Sequence, residues 1–266
     1  MSNKKLTCVD LFAGAGGFSL AAGNAGLSVV AAVEKNGNAC ASYRHNIIKN
    51  DKTKLYEGDI LQLSPKDLLR THFAANNSCD VVLGGPPCQG FSVHRINDAG
   101  VGDPRNALIL RYFEYVATLR PKVFLMENVP GILWPRHKEF LDAFYEEGKA
   151  AGYDVRLPAV LDARDYGVPQ RRKRVFILGV RKDFPFTASW PPAPTHGNQQ
   201  ARELNPNLQP WLTAASIFHQ PLSENDPNNT HMNHSLDLIE VFKSTPLNGG
   251  SRRDVELRLN LTRHLH

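Results

Sequence analysis

Short apolar runs separated by polar or amphipathic stretches recur through the first two-thirds of the chain, and this alternation predicts strands and helices in turn. Thr7 to Phe12 and Ser28 to Glu34 read as strands, with a helical stretch from Gly17 to Ala25 between them, which makes a βαβ unit. Further strands are predicted around Leu55 to Tyr56, at Val81 to Leu83 and at Val123 to Met126. Each is short and apolar, as parallel strands buried on both faces are. Leu108, Ile109, Tyr112, Phe113 and Val116 fall on one helical face, as do Phe140, Leu141 and Phe144, and their plainest role is core packing. Tyr153 to Leu161 and Val175 to Val180 are expected as two further strands joined by a basic stretch.

At Pro185-Phe186 the pattern changes. The last third is rich in Pro, Asn, Gln and His, and its apolar patches, Trp211 to Phe218 and Leu236 to Phe242, are too few to close a core unaided. The expectation is an α/β domain over residues 1 to 185, a doubly wound and mostly parallel sheet, followed at 186 to 266 by the start of a small irregular second region. No internal repeat is present.

Composition narrows the class. With 266 residues, 42% of them hydrophobic, the chain can bury one large core. Its apolar runs are broken by charges well before the ~18 residues that a membrane span needs, and Met1-Ser2-Asn3-Lys4-Lys5 leads into a strand rather than a secretory segment. The expected setting is therefore cytoplasmic, without a membrane. Cys8, Cys40, Cys79 and Cys88 form no CxxC pair and show no metal-ligand spacing with histidine, so free thiols are expected and no metal. The net charge of +5 suits a polyanionic partner but does not demand one. More telling is its placement: Arg164, Arg171, Arg172, Lys173 and Arg174 lie close together, and Arg252 and Arg253 follow a Gly-Gly pair.

Four stretches carry chemistry. Asp10-Leu11-Phe12-Ala13-Gly14-Ala15-Gly16-Gly17-Phe18-Ser19 is a glycine-rich bend between strand and helix, and Glu34 closes the next strand where a carboxylate can take ribose hydroxyls. A nicotinamide dinucleotide is one reading, but its fingerprint wants a glycine where Ser19 stands. The carboxylates Asp10, Glu34 and Asp59 are expected around the ligand, and they favour a positively charged nucleoside over a pyrophosphate. S-adenosylmethionine is such a ligand, with Glu34 on ribose and Asp59 of Gly58-Asp59-Ile60 on the adenine amine.

Gly84-Gly85-Pro86-Pro87-Cys88-Gln89-Gly90-Phe91-Ser92 holds a thiol on a stiff turn after a strand, the edge where open α/β sheets keep their chemistry. Glu127 in Met126-Glu127-Asn128-Val129 is expected on the same edge. Thiolate attack on a pyrimidine C6 requires the charge building on the ring to be neutralised at N3 and O2, which a protonated glutamate and an arginine can do. Gln170-Arg171-Arg172-Lys173-Arg174 supplies arginine, with Arg172 and Arg174 facing one way by strand alternation. The polar stretch from Val93 to Arg105 reads as a lid in which His94, Arg95 and Arg105 meet phosphates, or as an ordinary connection.

Together these residues resemble the DNA (cytosine-5)-methyltransferase family of the bacterial modification type, over about residues 6 to 196 and more loosely to Arg253. Phe12 to Gly17 is similar to its first cofactor motif, GGPPCQGFS to its nucleophile motif, MENV to its glutamate motif and QRRKR to its QxRxR motif. The resemblance implies the S-adenosylmethionine-dependent methyltransferase sheet, S-adenosylmethionine as donor, double-stranded DNA as partner and a cytosine flipped from the duplex. It assigns Cys88 as nucleophile forming a covalent bond to C6, Glu127 at N3 and Arg174 at O2, with Arg172 in support. Cofactor contacts carry over to Phe12, Gly14, Gly16, Gly17, Glu34, Lys35, Asp59, Ile60, Pro87 and Leu108.

Complete members of that family continue through a target recognition domain to ninth and tenth motifs, which are not found after Arg253. The expectation is a second polypeptide that supplies them, or a truncated gene. A tRNA cytosine-5 methyltransferase and an inactive DNA-binding subunit are the alternatives.

Overall fold

The computed structural model describes residues 5–48, 53–73, 79–87, 107–218, 223 and 232–246. It divides into two compact units, Met1–Ala214 and Ala215–His266. The first opens with β1 (Thr7–Leu11), α1 (Gly17–Asn24), β2 (Ser28–Glu34), α2 (Gly37–Asn46), β3 (Lys54–Glu57) and α3 (Pro65–Phe73). It continues with β4 (Val81–Gly84), α4 (Ala107–Leu119), β5 (Val123–Asn128), α5 (Lys138–Ala150), β6 (Tyr153–Val155), β7 (Ala159–Asp162) and β8 (Lys173–Arg181).

These strands form one sheet in the order β3-β2-β1-β4-β5-β8-β6, with β7 also paired to β8. β1 to β5 run parallel, and β8 is antiparallel to β5, β6 and β7. The winding reverses between β1 and β4, so a crevice opens at the carboxyl ends of those two strands.

Strand alternation sorts the side chains into two layers. Val9, Leu11, Val33, Val82, Phe124, Met126, Val175 and Ile177 join the large core that also contains Leu68 of α3, Tyr112 and Phe113 of α4 and Phe144 of α5. On the other face Cys8, Val29 and Leu83 pack with Ala22 of α1, and Ala32 packs with Tyr43 of α2. Phe124 anchors the larger core through edge-on ring contacts with Tyr112, Phe113, Phe144 and Tyr153.

The run from Tyr153 to Leu161 is two strands rather than one. Pro158 offers no N–H to a ladder, and Leu157 before it projects into solvent, 81% exposed. β6 therefore pairs with the far end of β8 at Gly179 to Arg181, and β7 with its near end at Lys173 to Phe176.

After β8 come the short pair β9 (His196–Gly197) and β10 (Gln209–Pro210), which flank α6 (Gln199–Leu204). This segment belongs to the first unit and is tied to the turn after β7. Thr195 N donates to Asp165 O, Tyr166 Oη donates to Pro192 O, and Trp211 Nε1 donates to Asp165 Oδ1 at 2.9 Å. The Arg164 guanidinium lies over the Trp211 ring, 3.9 Å from its centroid. The second unit contains α7 (Ala215–Phe218) and α8 (Leu236–Ser244), the latter capped by Ser235 Oγ accepting from Leu238 N. Among the described residues no helix is long and apolar enough to cross a membrane.

Candidate active site

The carboxyl ends of β1, β2, β3 and β4 surround a cavity of about 330 Å³. Phe12 enters it from the end of β1, Val33 to Asn36 from β2, Gly58 to Ile60 from β3, Gly85 and Pro87 from β4, and Leu108 from the first turn of α4. Seven of the expected cofactor residues, Phe12, Glu34, Lys35, Asp59, Ile60, Pro87 and Leu108, thus come to one cavity. Phe12 adopts the left-handed backbone region with φ 57°, an uncommon state for an aromatic residue, and it does so where the chain turns from strand to pocket.

Gly14, Gly16 and Gly17 do not line the cavity; they shape what does. Gly14 N donates to Glu34 Oε2 at 2.9 Å, and Lys35 N and Asn36 N donate to Glu34 Oε1 at 3.0 and 2.7 Å. Three backbone donors therefore fix the orientation of that carboxylate and leave acceptor capacity on Oε2. Gly16 has φ 97°, and a Cβ there would lie 2.5 Å from Ile47 Cγ1, so only glycine allows α2 to close on the bend. Gly17 begins α1. Asp59 Oδ1 accepts from Leu61 N at 3.0 Å, while Lys35 Nζ stands 3.7 Å from Asp59 Oδ2.

Asp10 does not belong with Glu34 and Asp59 around the ligand. It lies between Val9 and Leu11, which face the large core, so alternation turns it toward α1 and α2. There it is fully buried; Oδ2 accepts from Ser19 Oγ at 2.6 Å, and Ser19 Oγ is also 2.6 Å from Tyr43 Oη. Its Oδ1 has no hydrogen-bond partner among the described residues, and burial pushes the carboxyl up to about 7. Ser19 thus stands in the place of the third glycine as the link between Asp10 and Tyr43.

One strand beyond β4 lies the second constellation. Glu127 sits opposite Phe176 in the β5–β8 ladder, and Arg174 is the diagonal neighbour on the same face. Arg174 Nε approaches Glu127 Oε1 to 2.9 Å, with each side chain a quarter exposed. Burial raises the Glu127 carboxyl above the ordinary glutamate range, and the positive charges of Arg174 and Arg172 oppose that shift. Arg172 lies just before β8, with its backbone N donating to Asp162 Oδ1 at 3.2 Å.

The turn after β4 is fastened over this pair. Asn128 Nδ2 donates to Pro86 O at 3.4 Å, and a Cβ at Gly85 would lie 3.3 Å from Glu127 Oε2. Gly84 is held from below: its missing Cβ would meet the Tyr112 ring at 2.6 Å. Cys88 follows Pro87 in sequence but lies outside the described residues, as do His94, Arg95, Arg105, Arg252 and Arg253.

Sequence reading did not single out Val33 and Asn36 as pocket residues, although their position beside Glu34 was the available signal. Nor did it find Asn128 as the fastening of the Pro86 turn, a role that only the adjacency of β4 and β5 creates.

Comparison with known proteins finds type II methyltransferases and a DNA modification methyltransferase. The chain is 39% identical over 188 residues to the type II methyltransferase M.XorII of Xanthomonas oryzae pv. oryzae, covering 70% of this chain and 43% of that protein. It is 38% identical over 224 residues to M.AquIA of a Picosynechococcus species, covering 79% and 86%. A prophage-encoded E. coli protein, described as a DNA modification methyltransferase, superposes with TM-score 0.60 and 33% identity over 70% of this chain and 49% of its own. The chain thus spans less than half of M.XorII and most of M.AquIA. Because the C-5 cytosine-specific DNA methylase profile matches residues 6–257, nearly the whole length, the chain belongs to that family.

Proposed function

We propose that the protein transfers a methyl group from S-adenosylmethionine to C5 of cytosine in a specific sequence of double-stranded DNA, through a covalent bond between Cys88 and C6. The observation that carries this is the Glu127–Arg174 pair, 2.9 Å apart beneath the turn that precedes Cys88 and one strand from the nucleoside-sized cavity.

The cavity suits the donor. Glu34 retains acceptor capacity for a ribose hydroxyl, Asp59 offers Oδ2 to an adenine amine, and both carboxylates complement a cation rather than a pyrophosphate. When bound, S-adenosylmethionine supplies an electrophilic methyl group on a sulfonium.

The chain's own groups do the rest. The Cys88 thiolate adds to C6 of a flipped cytosine, and the negative charge that spreads over the ring is met at N3 by the Glu127 proton and at O2 by Arg174, with Arg172 adding positive field. The raised Glu127 carboxyl suits a proton donor. With its charge neutralised the ring behaves as an enamine, nucleophilic at C5, and takes the methyl group from sulfur, which leaves as a neutral thioether. Water or a DNA phosphate then accepts the C5 proton, the C5–C6 double bond re-forms as the Cys88 thiolate departs, and the N3 proton returns to Glu127.

Residues 186–266 are assigned to the beginning of a target-recognition region, with a second polypeptide completing it, and the reaction to the cytoplasm where chromosomal DNA lies. The coverage of the relatives is uneven, with 86% of M.AquIA but 43% of M.XorII matched. Bisulfite sequencing of DNA from cells that express the chain, with and without its genomic neighbour, tests both statements. Protected cytosines in one short sequence, dependent on the neighbour, are expected. Full sequence-specific protection by the chain alone removes the second polypeptide, and no protection in either case removes the activity.

A further inference from the structure

The pocket wall from Gly58 to Ile60 carries Asp59 beyond the end of β3 at Glu57; Gly58 N donates to Glu34 O and Gln62 N closes a turn on Asp59 O, but neither bond uses the Ile60–Leu61 peptide. We infer that Arg111 of α4 is a positioning residue that aims the Asp59 carboxylate at the nucleoside pocket by fixing the Ile60–Leu61 peptide. This rests on the proposed cofactor reading and extends it to a residue outside the pocket.

The planarity of one amide links Arg111 to Asp59. The Ile60 carbonyl and the Leu61 N–H are opposite edges of a single peptide plane. Leu61 N donates to Asp59 Oδ1 at 3.0 Å, so the plane's orientation sets that of the carboxylate. On the other edge Arg111 Nε donates to Ile60 O at 3.1 Å. Arg111 Nη2 continues along the segment to Leu63 O at 2.8 Å and Leu61 O at 3.5 Å.

Tyr115, one helical turn on, adds its hydroxyl to Leu63 O at 2.5 Å and Ile60 O at 3.4 Å, beneath the Arg111 guanidinium. Only 17% of the Arg111 side chain is exposed, so these charge-assisted bonds are shielded from water. Leu108 lies one turn earlier on the same helix face and itself lines the pocket, so α4 holds both the wall and the aim of Asp59. Arg111 has no place in the proposed chemistry, and a planar fork reaching three carbonyls is something lysine cannot reproduce.

Calorimetry with S-adenosylmethionine and S-adenosylhomocysteine, on the wild type and on Arg111→Gln, Arg111→Lys and Tyr115→Phe, tests the inference. Arg111→Gln is expected to weaken binding about tenfold and Tyr115→Phe about threefold, with Arg111→Lys between these two. At saturating cofactor, kcat and the KM for DNA stay within about twofold of wild type. The decisive measurement is a double-mutant cycle: in an Asp59→Ala background, Arg111→Gln costs no further affinity.

A purely structural arginine would lower Tm and give losses that add to those of Asp59→Ala, and that outcome overturns the inference, as does wild-type affinity in folded Arg111→Gln. Should Arg111→Gln not fold, the same cycle with Tyr115→Phe decides. A wild type that binds neither nucleoside overturns the cofactor reading instead.

Discussion

Glu34 and Glu127 stand at the carboxyl ends of β2 and β5 in the same sheet, but their surroundings have little in common. Glu34 accepts three backbone N–H groups from Gly14, Lys35 and Asn36, so its orientation is set by peptide planes rather than by another side chain. Glu127 is paired with a side chain, Arg174, and burial raises its affinity for a proton. A backbone-clamped carboxylate suits binding, where a fixed acceptor must be ready. A carboxylate held by a movable guanidinium suits chemistry, where the partner must turn to the substrate and the proton must be available. In the proposed function donor binding thus centres on the β1–β3 half of the sheet, with Gly85, Pro87 and Leu108 closing the cavity from the β4 side, and catalysis on β5 and β8.

The sharpest way to break that division is at the sulfur. Cys88→Ser is expected to reduce methyl transfer by about 10⁴-fold or more while calorimetric cofactor affinity stays within about twofold. If cofactor binding fell with turnover, the two halves would not be separable.

Next in size is Asp10, a buried carboxylate of the binding half that does not line the cavity. Its pKa is raised from 3.8 to about 7, so the buried acid favours its neutral form. The stability this confers is fully present below about pH 4 and is lost as pH rises through 7, a difference of ~4 kcal/mol. Asp10→Asn, which can keep the Ser19 hydrogen bond, is expected to flatten the dependence. Urea denaturation at pH 5 and pH 8 checks this.

Glu127→Gln and Arg174→Gln should each lower kcat about 10²-fold with cofactor affinity retained. Arg174 holds the Glu127 pKa down, so its removal raises that pKa further. If the protonated acid is the working form, activity falls as pH rises through the pKa, and the residual activity of Arg174→Gln persists to higher pH than that of the wild type. A pH profile of kcat for both variants shows whether the limb moves that way.

Glu34→Gln gives the smallest effect. It keeps the shape but loses the charge on which three amides converge, and a roughly tenfold rise in cofactor Kd is expected with kcat at saturation little changed.

Much of this was legible in the chain. Ser28 to Glu34 was readable as a complete strand, because its apolar run ends at a carboxylate before a polar turn, and the structure bounds β2 at those residues. The association of Glu127 with Arg174 was readable too, since the family resemblance of two motifs set both residues about one ring, and the structure pairs them. Arg111 was not. Along the helix it is one charge between Leu110 and Tyr112, and nothing local says that a segment some fifty residues earlier ends beneath it. Asp10 was misread because a carboxylate near a glycine-rich turn resembles a ligand contact until the pleat assigns its face.

Local chemistry along the chain determined which residues can react and where strands and turns begin, because apolar periodicity, proline and glycine act over a few neighbours. The tertiary structure alone decided which face each side chain occupies and which distant peptide it steadies. Those depend on strand order and on hydrogen bonds between segments that sequence distance does not encode, as the reach of Arg111 to the Ile60 carbonyl shows.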